Sequence, residues 1–293
     1  MSSTAIAGLF PGQGSHTGEM REHVELVVPE LLEQCCKLVG EDPFSRVAES
    51  TRFAQPAIFC ASLAGWYELR AQQRPTVLAG HSLGELAALV AAEALDPLAG
   101  LTLAVRRGEL MGSVVGHDDG MLALLGADEA LVGALAAEAG VALANDNAPG
   151  QVVLAGPLSR LRAASARARE SGARAIMLDV AGAFHSPAMA PAVEPFRAAL
   201  EGVEFHPPAI PVLCGSRAGA FHDVRADLAA AIVEPVRWRA TMLALARRGV
   251  TVFADFGPGA VLARLARRIC SDATVLDLNA LRSARPGETS SVA

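Results

Sequence analysis

Residues 80–84 read Gly-His-Ser-Leu-Gly and lie between an apolar run and a segment rich in helix formers. The run at 75–80 is short and mostly apolar, which is typical of a buried strand, and the sequence at 85–92 favours a helix. A G-x-S-x-G sequence at such a junction predicts a nucleophile elbow, a sharp turn that exposes the serine hydroxyl at a helix N-terminus. The free N–H groups of that helix end favour a developing oxyanion. We therefore expect an α/β fold in which Ser82 is a catalytic nucleophile.

The composition of the 293-residue chain limits its class. Apolar residues make up 52% of the chain, which predicts a folded protein with a large core. No apolar run reaches the roughly 18 residues of a membrane span, and the N-terminal sequence lacks the pattern of a secretory signal. We therefore expect a cytoplasmic protein without a membrane partner. The net charge of −6 disfavours nucleic acid as a partner, and the five cysteines show no zinc spacing, so no metal site is predicted.

The pattern of elements changes between residues 120 and 186. The predicted elements there are, in order, a strand at 121–125, a helix at 128–139, strands at 141–144 and 151–154, a helix at 158–170 and a strand at 174–180. A turn is expected at 145–150, where Asn, Asp, Pro and Gly cluster. The order βαββαβ predicts a ferredoxin-like domain.

The rest of the chain predicts a larger α/β domain. Its expected elements are strands at 6–10, 210–213 and 251–255 and helices at 56–70, 97–113, 239–248 and 261–269. This division gives a large domain at 1–119 and 187–283 and a small domain at 120–186. The polar tail at 284–293 is expected to be disordered.

A serine nucleophile requires a general base. His185 lies where the small segment rejoins the larger body, and a junction between two domains is a natural cleft wall. From the residues alone, His16 and His81 remain alternatives to His185.

Six motifs occur in order along the chain. They are Leu9-Phe10-Pro11-Gly12-Gln13-Gly14-Ser15, Gly80-His81-Ser82-Leu83-Gly84-Glu85, Arg107-Gly108, Gly182-Ala183-Phe184-His185-Ser186, Pro235-Val236-Arg237-Trp238 and Phe256-Gly257-Pro258-Gly259. Over residues 6–269 the chain resembles the malonyl-CoA:acyl-carrier-protein transacylase family of fatty acid and polyketide synthesis, including its free-standing members. The resemblance implies an α/β-hydrolase-like large domain with a parallel sheet and an inserted ferredoxin-like small domain. It also implies malonyl-CoA as substrate, no bound cofactor, and a phosphopantetheinylated acyl carrier protein as partner. We expect the protein to be a monomer.

The resemblance assigns roles to residues at matching positions. Ser82 would accept the acyl group, and His185 would be its base, oriented by a backbone carbonyl rather than by a carboxylate. The backbone N–H groups of Gln13 and Leu83 would form the oxyanion hole.

The resemblance also implies a substrate site. Arg107 would bind the free malonyl carboxylate, since a planar guanidinium can bind a carboxylate through two hydrogen bonds. Without the resemblance, Arg106 is an equal candidate. His81 and Phe184 would line the substrate site, and Leu83 with Phe184 resembles malonyl-type rather than methylmalonyl-type members.

Two positions depart from the family pattern. Ala231 stands where the family often has glutamine, four residues before the proline of Pro-Val-Arg-Trp, so only a backbone carbonyl can act there. Gly112 stands where the family often has another glutamine.

Other functions compete with acyl transfer. A serine esterase or thioesterase, including a proofreading hydrolase, is compatible with the elbow, but its histidine usually comes late in the chain and Arg107 would have no purpose in it. A non-catalytic docking subunit would not need Ser82, His185 and Arg107 together. For an acidic carrier protein, the late arginines are the expected docking residues: Arg237, Arg239, Arg264, Arg267 and Arg268.

Overall fold

The computed structural model describes residues 5–116, 118–180 and 182–283, which form two β-sheets with helices packed around them. Numbered along the chain, the strands of the larger sheet are β1 (Ala5–Phe10), β2 (Val77–Gly80), β7 (Val212–Cys214), β8 (Gly219–Ala220), β9 (Val250–Asp255) and β10 (Thr274–Leu276). Their order is β10-β9-β1-β2-β7-β8. The five strands from β10 to β7 are parallel, and β8 pairs antiparallel with β7. The predicted parallel sheet is confirmed.

Helices cover the larger sheet. They are α1 (Met20–Val27), α2 (Pro29–Val39), α3 (Thr51–Gln73), α4 (Gly84–Ala91), α5 (Pro97–Ser113), α8 (Ala190–Glu201), α9 (Val224–Ala230), α10 (Trp238–Arg247), α11 (Val261–Ile269) and α12 (Leu278–Ser283). Sequence explains where α5 begins. Asp96 Oδ1 accepts the N–H groups of Leu98 and Ala99 at 2.9 and 3.0 Å, and Pro97 occupies the first helical position, where its missing N–H costs nothing. The α3 helix packs on α1, α2, α4 and α5 and is therefore buried along most of its length.

The smaller sheet lies between β2 and β7 in the chain. Its elements are β3 (Asp119–Leu125), α6 (Glu129–Ala139), β4 (Ala142–Ala148), β5 (Gln151–Pro157), α7 (Leu158–Glu170) and β6 (Arg174–Met177). The strands are antiparallel in the order β4-β5-β3-β6, which is the ferredoxin-like arrangement that the sequence predicts. This separate sheet supports the expected division into a large domain at 1–119 and 187–283 and a small domain at 120–186, and we propose that division.

The predicted turn at 145–150 is wrong for most of its length. The β4 strand continues to Ala148, and only Pro149 and Gly150 form the turn to β5. The backbone of Asp146 has a partner on each side of the strand. It pairs with Val152 of β5, and its N–H donates to the carbonyl of Val236 at 2.9 Å. Long-range pairing thus overrides the turn preference of Asn and Asp.

Other predicted boundaries also shift. The α3 helix begins at Thr51, so Pro56 lies within it rather than at its start. The β6 strand ends at Met177 instead of residue 180. Seven elements have no counterpart among the predicted ones: β8, β10, α1, α2, α8, α9 and α12. The β10 strand has three residues and forms only by pairing with β9, so its local sequence gives little signal. The tail at 284–293 lies outside the described residues.

The loops that follow the carboxyl ends of β1, β2 and β9 meet at one edge of the larger sheet. A Cβ on Gly257, just after β9, would collide with Pro11, just after β1. A Cβ on Gly12 would lie 2.7 Å from the carbonyl oxygen of His81, just after β2. In open parallel sheets this edge is the usual position of a ligand site. None of the helices in the described ranges is long and apolar enough to cross a membrane.

Candidate active site

The nucleophile elbow connects β2 to α4. Ser82 has φ of +54°, a left-handed conformation that is costly for a residue with a Cβ. Two glycines allow the close packing of the elbow. A Cβ on Gly80 would collide with the backbone of Gly84, and one on Gly84 would collide with the carbonyl of Phe10. The strain at Ser82, held by this packing, is of the kind found at functional sites.

His185 lies against Ser82 although 103 residues separate them. Its Nε2 is 2.8 Å from the Ser82 Oγ. Its Nδ1 is 2.8 Å from the carbonyl oxygen of Ala231 and 3.2 Å from that of Glu234. Because carbonyl oxygens only accept, Nδ1 carries the proton and donates, and Nε2 is left to accept the serine proton. Two backbone carbonyls therefore orient this imidazole, and the alanine at position 231 preserves that function.

Burial and nearby positive charge keep the His185 imidazole neutral. Desolvation, followed by the Arg107 cation and then His81, lowers the pKa of His185 to about 3. At neutral pH the ring is consequently in the form that can take a proton from Ser82. A base with so low a pKa is weak in the free protein, and its basicity would rise when an anionic substrate offsets Arg107.

Arg107 brings a buried cation to the serine. Its side chain is 4% exposed, and its Nη2 donates to the Ser82 Oγ at 3.1 Å. Its Nη1 donates to the Gln55 Oε1 at 2.9 Å, and the Gln55 amide in turn donates to the Thr51 hydroxyl at 2.8 Å. Burial lowers the pKa of Arg107 to about 10, so the group stays charged at neutral pH. The alternative, Arg106, is exposed and pairs with Glu109 at 3.5 Å.

The remaining predicted residues line one cavity of about 340 Å³ that also contains Ser82, His185 and Arg107. Gln13, Leu83, His81 and Phe184 all contribute to its wall. His16 is exposed and is not part of the wall.

The loop that carries Gln13 is fixed from both sides. The Ser15 hydroxyl donates to the Gly12 carbonyl at 2.9 Å. Any side chain on Gly259 would collide with the carbonyl of Ser15. The turn after β9 and the loop after β1 therefore support each other, which gives the Gln13 backbone a fixed position at the cavity.

His81 also belongs to this wall, but it is held differently from His185. Its Nε2 is 2.9 Å from the Asn147 Oδ1, and its ring lies 5.4 Å from that of Trp238. Desolvation lowers the pKa of His81 as well, so the ring is neutral and donates its Nε2 proton to Asn147.

Sequence reasoning did not identify five polar residues of the wall: Gln55, Asn145, Asn147, Gln151 and Asp179. The sequence predicts a turn at the two asparagines, but they lie on β4, and a spacing of two is typical of residues on one face of a strand. That spacing was the available signal. Gln55 gave no such signal, because its hydrogen bond with Arg107 joins two helices that are far apart in the sequence.

Glu85 is a further buried group beside the elbow. Its Oε1 accepts the N–H of Gly215 at 2.6 Å, which joins the end of β7 to the start of α4. Burial raises the pKa of Glu85 to about 7. The residue lies behind the serine and does not line the cavity.

These groups can perform covalent acyl transfer. A serine hydroxyl lies within hydrogen-bond distance of a neutral imidazole and of a buried guanidinium, in a cavity whose wall is mostly apolar. The imidazole can activate the hydroxyl, and the guanidinium can bind a carboxylate carried by the acyl group.

Comparison with known proteins agrees with this geometry. The acyl transferase domain model matches residues 21–284. The malonyl CoA-acyl carrier protein transacylase of Haemophilus influenzae is 37% identical over 300 residues, covering 95% of this chain and 96% of that protein. The polyketide biosynthesis protein ThaF of Burkholderia thailandensis is also 37% identical, over 90% of this chain; the match spans about a quarter (24%) of its length. The solved malonyl-CoA:acyl carrier protein transacylase of Xanthomonas oryzae pv. oryzae superposes with a TM-score of 0.88, at 35% identity over 95% of both chains. The chain therefore belongs to the acyl transferase family.

Proposed function

We propose that the protein transfers a malonyl group from coenzyme A to the phosphopantetheine thiol of an acyl carrier protein, through an acyl-enzyme on Ser82. The observation that carries this proposal is the double contact of the Ser82 Oγ, 2.8 Å from the His185 Nε2 and 3.1 Å from the Arg107 Nη2. The pair of contacts combines a nucleophile and base with a carboxylate site. The names of the relatives support the same donor and acceptor.

The first half-reaction acylates the enzyme. His185 Nε2 takes the Ser82 proton while Oγ bonds to the thioester carbonyl carbon. The backbone N–H groups of Gln13 and Leu83 stabilise the oxyanion that forms on the carbonyl oxygen. The C–S bond then breaks, and the CoA sulfur leaves with the proton that His185 returns.

The second half-reaction reverses these roles with a new thiol. The carrier's phosphopantetheine thiol gives its proton to His185, and its sulfur attacks the carbonyl carbon of the malonyl-serine ester. The C–Oγ bond breaks, and Ser82 recovers its proton from His185. Arg107 holds the malonyl carboxylate throughout and keeps the acyl group in position between the two transfers.

The experiment is a two-step mass measurement on the intact protein. Incubation with malonyl-CoA should add one malonyl mass, and addition of the phosphopantetheinylated carrier should remove it and place it on the carrier. Release as free malonate at a rate that carrier does not change would instead identify a thioesterase or proofreading hydrolase. No adduct from malonyl-CoA would contradict the proposal.

We further propose that the protein acts in the cytoplasm, where CoA thioesters are available, and as a monomer. The monomer is supported by the site itself, because Ser82, His185 and Arg107 all come from a single chain.

Arg107→Ala should separate carboxylate recognition from acyl chemistry. We expect malonyl loading to fall by about 30-fold or more, because a desolvated contact between opposite charges is worth roughly 2–5 kcal/mol. Acetyl loading should change little or increase, since acetyl has no carboxylate. The measurement is the rate of adduct formation from malonyl-CoA and acetyl-CoA. Arg106→Ala, on the same helix but exposed, is the matched control. Equal losses for both acyl groups would make Arg107 a structural residue.

Three of the five arginines expected to dock the carrier are less suitable candidates, because of their ion pairs or their position. Arg239 is paired with Asp146 at 3.0 Å and with Glu129 at 2.7 Å, so its charge is already neutralised. Arg267 pairs with Asp277 at 3.4 Å. Arg237 is exposed but lines a separate cavity.

Arg264 and Arg268 therefore remain the best candidates for docking. Both are exposed on α11, whose Val261, Leu262 and Leu265 line the wall of the Ser82 cavity. Among the described residues, their side chains form hydrogen bonds with neutral oxygens, the Gly259 carbonyl at 2.8 Å for Arg264 and the Gln151 amide at 3.2 Å for Arg268, so their positive charges remain available to an acidic carrier.

The double variant Arg264→Glu/Arg268→Glu should slow transfer to the carrier by about tenfold at low salt and by less at high salt, since screening weakens exposed charge pairs. Loading from malonyl-pantetheine, which lacks the CoA phosphates and carries one charge on its malonyl carboxylate, should stay within about twofold, because rim charges mainly steer partners with many charges. Arg162→Glu, an exposed arginine on α7, is the control. If the rate of transfer to the carrier changes neither with the charge reversal nor with the ionic strength, this surface is not the docking site.

A further inference from the structure

The carbonyls that orient His185 lie in the connection between α9 and α10, residues 231–237. The carbonyl oxygens of Ala231 and Glu234 accept from the His185 Nδ1 at 2.8 and 3.2 Å. These two bonds fix the direction in which the opposite ring nitrogen, Nε2, faces the Ser82 Oγ. The geometry of the nucleophile and its base therefore depends on where this connection lies relative to the elbow.

Backbone hydrogen bonds hold the end of the 231–237 connection on two sides. On one side, the Val236 N–H donates to the Ala144 carbonyl and the Val236 carbonyl accepts from the Asp146 N–H, both at 2.9 Å. On the other side, the Arg237 N–H donates to the carbonyl of Gly215 at 2.9 Å. Gly215 follows β7 directly, so this last bond ties the connection to the larger sheet.

Gly215 also contacts the elbow. A Cβ at this position would lie 3.3 Å from the carbonyl oxygen of Gly80 and 3.8 Å from the Val236 side chain. The Gly215 N–H donates to the Glu85 Oε1 at a short distance of 2.6 Å. Gly215 thus stands between the elbow and the 231–237 connection, with its N–H bonded to one and its carbonyl bonded to the other.

Glu85 lies in the first turn of α4, three residues after Ser82. Its side chain is only 3% exposed, and a buried carboxyl group is unfavourable unless it is hydrogen-bonded. It does not line the cavity, so contact with substrate does not explain its burial. Burial raises the pKa of Glu85 to about 7, but a carboxyl oxygen can accept an N–H in either protonation state. The bond to Gly215 is therefore compatible with both forms of the side chain.

We infer that Glu85 is a positioning residue that sets the distance between Ser82 and His185. Its helix carries the nucleophile, and its carboxyl group holds, through Gly215 and Arg237, the connection whose carbonyls orient the imidazole. The inference rests on the proposed function, in which Ser82 and His185 perform both half-reactions. Without this carboxyl group the buried Gly215 N–H loses its acceptor, which favours a shift of Gly215 and of the connection bonded to it.

Glu85→Ala should lower the single-turnover rate of malonyl loading by about 10- to 100-fold, the expected effect of misplacing a base by up to about 1 Å. The malonyl-CoA concentration for half-maximal loading should stay within about twofold, because the substrate contacts are unchanged. Acetyl loading should fall by the same factor, in contrast with Arg107→Ala. Glu85→Gln should load within about threefold of the wild-type rate, because its amide oxygen can accept the Gly215 N–H.

A double-mutant cycle distinguishes positioning of His185 from a general structural role. In the His185→Ala protein, adding Glu85→Ala should change the residual loading rate by less than about twofold, since no imidazole remains to be misplaced. A further loss of about tenfold in that background would mean that Glu85 acts on the elbow or on the whole fold, and would overturn the inference. Equal losses in Glu85→Gln and Glu85→Ala would also overturn it, because the charge and not the hydrogen bond would then be responsible.

Asp128→Ala is the matched control. The Asp128 Oδ1 accepts the N–H of Leu131 at 2.8 Å at the start of α6, so this variant also loses a bond from a carboxylate to the backbone. It should lower the thermal midpoint by a few degrees while malonyl loading stays within about twofold. If Glu85→Ala does not fold, Glu85→Asp replaces it in every comparison, because the shorter side chain keeps the charge but withdraws from Gly215.

Failure of this inference differs from failure of the proposed function. Malonyl loading of Glu85→Ala at the wild-type rate would overturn the inference and leave the proposed function intact. If the wild-type protein formed no malonyl adduct, the proposed function itself would be wrong.

Discussion

Ser82→Ala should form no malonyl adduct with malonyl-CoA, whereas the wild-type protein gains one malonyl mass. The elbow holds Ser82 at a φ of +54°, which places its hydroxyl between the His185 imidazole and the Arg107 guanidinium. Removing the hydroxyl removes the nucleophile that bonds to the acyl carbon. Intact-protein mass spectrometry measures the outcome directly, and transfer to the carrier should be lost with the adduct.

The control for this prediction is a serine far from the cavity. Ser159→Ala, exposed on α7, should load as the wild-type protein does. The Ser82→Ala protein should still bind malonyl-CoA, because Arg107 is unchanged. An adduct that persists in Ser82→Ala would show that another residue is the acyl acceptor.

His185→Ala should lower the rate of malonyl loading by about 10²–10⁴-fold, which is the usual contribution of a general base. Its Nε2 lies 2.8 Å from the serine hydroxyl, and the carbonyls of Ala231 and Glu234 fix the ring in the tautomer that can accept the proton. Single-turnover loading isolates this step from the carrier reaction. His16→Ala, at an exposed histidine outside the cavity, should stay within about twofold. A loss of less than about tenfold in His185→Ala would point to a different base.

The pH profile provides an independent check on His185. Its pKa is lowered to about 3, so the neutral, proton-accepting form persists as the pH falls from 7 to 5. We expect kcat/KM for loading from malonyl-pantetheine to remain nearly constant over that interval. A histidine with the ordinary pKa of about 6.5 would lose roughly 30-fold of its neutral form by pH 5. A decline of that size would contradict the buried, neutral state of His185.

Some elements could be predicted because their signals are local. The α5 helix begins where Asp96 and Pro97 provide a cap and a first residue, and it was predicted with its correct ends. The α7 and α11 helices also have the predicted ends. Caps and periodic apolar positions act within a few residues, so they are visible in the sequence without knowledge of the fold.

Other elements depended on distant partners. The segment 145–148 has the composition of a turn, but pairing with β5 and with Val236 makes it a strand. The β10 strand exists because β9 offers an unpaired edge. Strand formation combines a weak local preference with a long-range partner, and the sequence shows only the first of these.

The residues of the candidate site also differ in whether the sequence could predict them. Ser82 and its elbow follow from five consecutive residues, because a strand, a tight glycine turn and a helix N-terminus are contiguous in the chain. The motifs that resemble the transacylase family also indicated His185 and Arg107, and with them the type of reaction. These features were accessible from the order of residues alone.

The tertiary structure decided which atoms meet. Only the packing of distant segments brings the carbonyls of residues 231 and 234 to the His185 Nδ1 and the Gln55 amide to Arg107. Only the continuation of β4 turns Asn145 from a residue in an expected turn into a strand residue on the cavity wall. The physical reason is that a backbone carbonyl or a neutral amide has no distinctive sequence signature. Its function depends on a distance of about 3 Å to a partner, and that distance is set by the fold rather than by its neighbours in the chain.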